Sequence, residues 1–196
     1  MLKVFAINGS PRSGGNTAHM LGTVLDVCKN SGIDGTDKIE TELYQAGGRT
    51  VRGCMACGGC GRNPGKCVTE DWIGEVYQKM LEAHAIILGS PTYFYDVTPE
   101  MKAVMDRCGF VAAHSGKALG RKIGAAVTAV RRAGGICTLD SMQNFLLMND
   151  MVVAGSTYVN MSLARDLGDY EKDAEGIKTM KRLGENIAWL LGKLYK

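Results

Sequence analysis

The chain has 196 residues, 45% of them hydrophobic, and its 23 basic and 20 acidic side chains leave a formal net charge of +3. That length fits one domain with a substantial core. The charges are interspersed, with no basic block to follow a nucleic-acid backbone, and no apolar run approaches the roughly 18 to 20 residues that would span a bilayer.

Lys3 to Asn8 is a short apolar run bounded by Asn-Gly-Ser-Pro and reads as a strand rather than an export signal, so a reducing cytoplasm is expected. From Asn16 the pattern is helical, with Ala18, Leu21, Val24, Leu25 and Cys28 on one face. Lys38 to Tyr44 alternates as a half-exposed edge strand would, and Trp72 to Ala83 spaces Ile73, Val76, Tyr77 and Met80 to bury one helical side. Ala85 to Ser90 is a continuous apolar strand, of the kind buried on both faces of a parallel sheet. Pro99 suits the first turn of a helix carrying Met101, Val104, Met105 and Cys108. Ile123 to Val130 and Met151 to Gly155 supply two more strands around a helical stretch at Leu139 to Met148. A long amphipathic helix with Ile177, Met180, Leu183, Ile187, Leu190, Leu191 and Leu194 closes the chain. Strands alternating with helices predict an α/β fold: a flavodoxin-like, three-layer, doubly wound parallel five-stranded sheet in the order 2-1-3-4-5. Residues 1–196 then form one such domain, with a cysteine-rich insertion at about 53–68.

The insertion reads Cys54-Met-Ala-Cys57-Gly-Gly-Cys60-Gly-Arg-Asn-Pro-Gly-Lys-Cys67 and holds four of the seven cysteines. Two-residue gaps and intervening glycines let one backbone curl thiolates around a small metal centre, and an iron-sulfur cluster asks for that. A structural zinc site is the alternative, although zinc usually draws two separated knuckles. Disulfides or idle thiols fit a reducing compartment less well. Cys28, Cys108 and Cys137 stand alone in apolar helical patterns and read as small core residues. His19, His84 and His114 have no mutual spacing for metal or triad work, and Asp106-Arg107 reads as a helix-surface pair.

Ligands of such a sheet bind beyond the carboxyl ends of the strands, where three loops should meet. The first, Asn8-Gly-Ser-Pro-Arg-Ser-Gly-Gly-Asn-Thr17, runs straight into a helix whose free amides and dipole favour a phosphate. Gly9 and Gly14 stand at the Walker spacing, but Gly15-Asn16 replaces the Lys-Ser/Thr pair of a triphosphate site, and GxGxxG is absent. A lone terminal phosphate, as in FMN, is left, with a ligand-free capped turn as the alternative. The second loop, Gly89-Ser-Pro-Thr-Tyr-Phe-Tyr-Asp96, offers three aromatic side chains to a flat ring or to a partner subunit. The third, Val130-Arg-Arg-Ala-Gly-Gly135, places Arg131, Arg132 and Gly134 where a reduced anionic flavin would meet positive charge, unless the arginines are only solvated surface.

Gly9-Ser-Pro-Arg-Ser-Gly-Gly-Asn-Thr17, Ser90-Pro-Thr-Tyr-Phe94, Met101-Lys102 and Asp106-Arg107 together resemble the NADPH-dependent FMN reductase-like branch of the flavodoxin superfamily. The CxxCxxC run with a fourth cysteine shortly after is similar to the iron-sulfur flavoproteins of anaerobic archaea and bacteria. That resemblance implies FMN beside a [4Fe-4S] cluster. By it, Ser10, Arg12, Ser13, Asn16 and Thr17 hold the FMN phosphate, Pro91, Thr92, Tyr93, Phe94 and Tyr95 flank the ring, and Cys54, Cys57, Cys60 and Cys67 ligate the cluster. The expected function is a flavin-dependent oxidoreductase that takes electrons from a redox carrier such as ferredoxin or NAD(P)H and passes them to a small-molecule acceptor. Neither side-chain acid nor base is required of it, and neither nucleic acid nor membrane is an expected partner. A cluster-free NAD(P)H-dependent FMN or quinone reductase and a zinc-stabilised binding module are the rival readings. The apolar and aromatic residues at Tyr93 to Val97 and Phe110 to Ala113 would suit a homodimer or homotetramer.

Overall fold

A computed structural model describes residues 1–31 and 38–195. Its centre is a parallel sheet in the order β2-β1-β3-β4-β5, the order expected from the sequence. The first four strands are β1 (Leu2–Asn8), β2 (Ile39–Gln45), β3 (Ala85–Pro91) and β4 (Ile123–Val130), with β2 at the edge. The three inner strands are the continuous apolar runs, and their alternate side chains divide between the two faces. Val4 and Ala6 of β1, with Ala85 and Ile87 of β3, enter one core beneath α1 (Asn16–Asn30) and α6 (Ala174–Leu194). Phe5 and Ile7, with Ile86 and Leu88, enter the other beneath α3 (Trp72–Glu82), α4 (Pro99–Ala113) and α5 (Gly135–Met148). The helices α1 and α6 cross closely at Gly184, where an added Cβ would lie 2.8 Å from the Val24 carbonyl oxygen.

The fifth strand departs from expectation. Only β5 (Val152–Val153) pairs with the start of β4; the chain then loops out and returns as β6 (Met161–Leu163) to pair with Thr128–Val130. The intervening Gly-Ser-Thr-Tyr-Val-Asn stretch forms its own polar turn, in which Ser156 Oγ donates to Asn160 Oδ1 at 2.6 Å and so competes with a continuous ladder. A single turn of helix, α2 (Gly59–Arg62), lies inside the cysteine segment.

Two sequence expectations are overturned by packing. Arg107 is not a surface partner of Asp106; it is 2% exposed, while Asp106 pairs with Lys102. Helical periodicity puts Arg107 on the face of α4 that meets the start of α3, where Asp71 awaits it. Cys137 is exposed rather than core, because it lies on the face of α5 opposite the buried Thr138, Leu139 and Met142, whereas Cys28 and Cys108 are buried as expected. Among the described residues no helix is long and apolar enough to cross a membrane.

Candidate functional site

The loops after β1, β3 and β4 meet at the carboxyl edge of the sheet and are tied together there. Thr98 Oγ1 donates to the Gly9 carbonyl at 2.7 Å, the Thr98 amide donates to Ser90 Oγ at 3.0 Å, and Thr138 Oγ1 donates to Thr92 Oγ1 at 3.0 Å. The turn after β2 supports the first loop from below. Gln45 Nε2 donates to the Ser10 carbonyl at 2.7 Å, and Gly47 passes so close that a Cβ there would sit 2.2 Å from the Ser10 carbonyl carbon. Only glycine fits at that crossing.

A cleft of about 180 Å³ opens between these loops, lined by Ser10, Arg12, Gly15, Asn16, Thr17, Pro91, Thr92, Tyr93, Ala129, Arg131, Ala164 and Arg165. Three guanidinium groups and no carboxylate line it, so its field is cationic. Helix ends reinforce this. Asp71, Thr98 and Asp173 cap α3, α4 and α6 with side chains that accept an amide proton, whereas Gly15 and Gly134, at the starts of α1 and α5, provide no such cap. The first-turn amides of α1 are thereby left to an outside acceptor, and an anion is the natural one.

Of the residues expected at a phosphate, Ser10, Arg12, Asn16 and Thr17 line the cleft. Ser13 is exposed outside it. The Asn16 side chain is otherwise engaged: Nδ2 donates to the Asp166 carbonyl at 2.8 Å and Oδ1 accepts the Tyr170 amide at 3.2 Å. Asn16 therefore straps the segment after β6 over the cleft and can offer a ligand only its backbone. That strap brings Arg165, which the sequence pattern did not signal because β6 was not foreseen.

Pro91, Thr92 and Tyr93 line the cleft, and beyond them the chain makes a tight hairpin in which Tyr93 and Asp96 exchange backbone hydrogen bonds at 2.8 and 3.0 Å. Its two central residues, Phe94 and Tyr95, have φ of +46° and +68°, a left-handed conformation that ordinarily selects Asn or Gly. Phe94 is fully exposed, and Tyr95 packs toward Gly134, whose own φ is +88°. Arg131 lines the cleft; Arg132 is exposed outside it.

All four clustered cysteines, Cys54, Cys57, Cys60 and Cys67, border a second cavity of about 150 Å³ in the segment between β2 and α3. Its remaining wall includes Met55, Val68, Arg107, Phe110 and Val111, with His114 at the side. The segment folds onto α4. Gly59 passes Val68 so tightly that a Cβ would meet Val68 Cγ1 at 2.3 Å, and the Gly65 amide donates to Ser115 Oγ at 2.7 Å. His114, whose spacing in the sequence suggests no metal role, has Nδ1 3.7 Å from Cys60 Sγ. His19 pairs with Glu171, and His84 meets Tyr195 edge to face while its Nδ1 accepts the Lys3 amide at 3.1 Å, so both serve structure. Among the described residues, no three His, Cys, Asp or Glu side chains converge closely enough to hold a single metal ion. The thiols surround a space rather than a point.

Arg107 floors this cavity. It donates to both oxygens of Asp71, at 2.6 and 2.9 Å, and to the carbonyls of Arg52 and Thr69 at 3.1 and 2.9 Å. Burial works against its charge, but the Asp71 carboxylate, with the Cys67 sulfur when ionised, outweighs that and raises its pKa.

Residues 2–166 match the family described as NADPH-dependent FMN reductase. An iron-sulfur flavoprotein of Methanocaldococcus jannaschii is 34% identical over 194 residues, covering 95% of this chain and 96% of that protein. An iron-sulfur flavoprotein of Methanosarcina thermophila is 29% identical over 197 residues, covering 100% and 98%. Among solved structures, an archaeal flavodoxin shares the fold with a TM-score of 0.59 at 17% identity, covering 97% of this chain and 99% of that one. The apo form of an NADH:FMN oxidoreductase shares it with a TM-score of 0.68 at 15% identity, covering 97% and 90%.

Proposed function

Since the chain belongs to the NADPH-dependent FMN reductase family, among its iron-sulfur flavoproteins, and is a flavin-dependent oxidoreductase, we propose that it passes electrons between a [4Fe-4S] cluster on the cysteine segment and FMN in the arginine-lined cleft. The observation that carries this reading is the common cavity bordered by Cys54, Cys57, Cys60 and Cys67, in a chain that also has the arginine-lined cleft.

Both groups suit the residues present. The cleft offers a phosphate the uncapped start of α1 with Arg12 and Thr17, and offers a ring the Pro91–Tyr95 loop. The cysteine cavity offers four thiols around a space, with glycines where the backbone must turn, as at Gly58 with its φ of +66°. Thiolate sulfur is the donor that iron-sulfur clusters take. FMN exchanges one or two electrons and the cluster one at a time, which lets the pair join carriers of different electron number. The chain's own part is to hold both groups, shield them from bulk water and set their potentials through charge and hydrogen bonds. Arg131 and Arg165 supply positive charge that favours the anionic reduced ring, and Ser10 and Thr17 orient the phosphate end. A donor such as ferredoxin or NAD(P)H and a small-molecule acceptor complete the reaction. A second copy of the chain covers the exposed Phe94, Tyr95 and Phe110.

Anaerobic purification tests this reading. Wild type is expected to carry FMN with about four iron and four acid-labile sulfide per flavin. Cys60→Ala should lose the iron and keep the FMN. FMN without sulfide would instead favour a cluster-free NAD(P)H-dependent reductase, and zinc without flavin would favour a binding module. Iron unchanged in Cys60→Ala would remove that residue from the ligand set.

A further inference from the structure

Arg107 is the largest side chain that the fold buries completely, and it sits between two cavities. One is the space bordered by the four cysteines; the other, of about 310 Å³, lies behind Cys67 and the start of α3. Cys67, Thr69, Arg107 and Val111 line both, and the Cys67 sulfur is near enough to the guanidinium to favour its charge.

A guanidinium has five N–H bonds. Four are taken here: Nη1 by Asp71 Oδ2 and the Arg52 carbonyl, Nη2 by Asp71 Oδ1 and the Thr69 carbonyl. The fifth, on Nε, is buried and has no partner among the described residues. Arg52 and Thr69 flank the segment on either side of Cys54 and Cys67, so one side chain fastens both of its ends. Asp71 offsets the positive charge, which leaves Nε as a polarised donor inside a neutralised pair. A thiol is a weak acceptor, but a metal-bound thiolate is a strong one, and hydrogen bonds to cluster sulfurs are among the means by which a protein sets a reduction potential.

Resting on the cluster reading above, we infer that Arg107 is a positioning residue whose Nε–H donates to the Cys67 thiolate in the loaded protein, fixing the fourth ligand and raising the cluster's reduction potential. The donated hydrogen bond stabilises the more negative, reduced cluster more than the oxidised one. Removing it therefore shifts the potential down.

The test uses full-length chain carrying arginine isotopically labelled at Nε, reconstituted anaerobically with FMN, iron and sulfide, and reduced for pulsed EPR. A weak hyperfine coupling from the labelled nitrogen is expected in wild type, retained in Arg52→Lys and Arg62→Lys, and lost in Arg107→Lys. Arg107→Lys keeps a cation but not the fork. Its cluster should change its oxidised-to-reduced ratio at a fixed potential by tenfold or more, a negative shift of about 59 mV for one electron, while the FMN potential stays in place. A merely structural role would alter cluster occupancy without touching the coupling or the potential of the clusters retained. No coupling in labelled wild type, or a coupling that survives Arg107→Lys, overturns the inference. If Arg107→Lys yields no loaded protein, wild type with Arg52→Lys and Arg62→Lys decides: coupling in all three supports the assignment, and its loss from either variant overturns it. Wild type without acid-labile sulfide sinks the cluster reading itself, whereas sulfide without coupling sinks only the role of Arg107.

Discussion

Arg107 holds Asp71 through both terminal nitrogens, at 2.6 and 2.9 Å, and the same Asp71 carboxylate accepts the Ile73 amide at 3.1 Å as the cap of α3. One carboxylate thus joins the start of α3 to the middle of α4 at the floor of the cysteine cavity.

Breaking that pair from one side strands a buried charge. Arg107→Ala is expected to lower the unfolding free energy by about 3–5 kcal/mol, read from urea denaturation. The exposed neighbouring pair Lys102–Asp106 is the contrast, and Asp106→Ala should cost under about 1 kcal/mol. Equal losses in the two variants would contradict the burial assigned to Arg107.

Gly47 tests the support of the phosphate loop. A methyl group there would overlap the Ser10 backbone, at 2.2 Å from both its carbonyl carbon and oxygen, so Gly47→Ala must displace the loop. FMN affinity should fall at least about tenfold, or about 1.4 kcal/mol, in a flavin-fluorescence titration. Gly22→Ala, inside α1 with open space around its Cβ position, should instead add about 1 kcal/mol of stability and leave the affinity alone.

Phe94 carries backbone strain with no compensating contact of its own, since its side chain is wholly exposed at φ +46°. Phe94→Asn suits the left-handed turn and should raise stability by about 1 kcal/mol, or about 2–4 °C in Tm. FMN binding or self-association should weaken in the same variant, because the ring is the part held out for contact. A variant with unchanged Tm would show that the turn stores no strain.

Alkaline pH should destabilise the chain through two core thiols. Burial pushes both Cys28 and Cys108 up to about 12, whereas an unfolded cysteine titrates near 8.5. Between about pH 9 and 12 the unfolded state has therefore released protons that the folded state keeps, so stability falls as pH rises, by up to about 1.4 kcal/mol per pH unit for each thiol. Urea midpoints at pH 8 and pH 10.5 should differ in wild type, and that difference should shrink in Cys28→Ala and Cys108→Ala. An undiminished difference in both variants would locate the alkaline sensitivity elsewhere.

The layered sheet was legible in the sequence because its signals are local. The inner strands are continuous apolar runs such as Ile86–Leu88, the helices keep an apolar face, and Thr98-Pro99 marks a helix start. Grouped cysteines and a glycine-rich turn entering a helix are equally local, and donor chemistry follows from residue type alone. Tertiary structure decided what depends on residues far apart in the chain. It buried Arg107 against Asp71 across 36 positions, turned the Asn16 side chain inward to Asp166 across 150, and brought Arg165 to the cleft through a strand of three residues. It also split the fifth strand and set His114 beside Cys60. Periodicity states that a side chain lies on a face; which partner that face meets is fixed only when the whole sheet has closed around it.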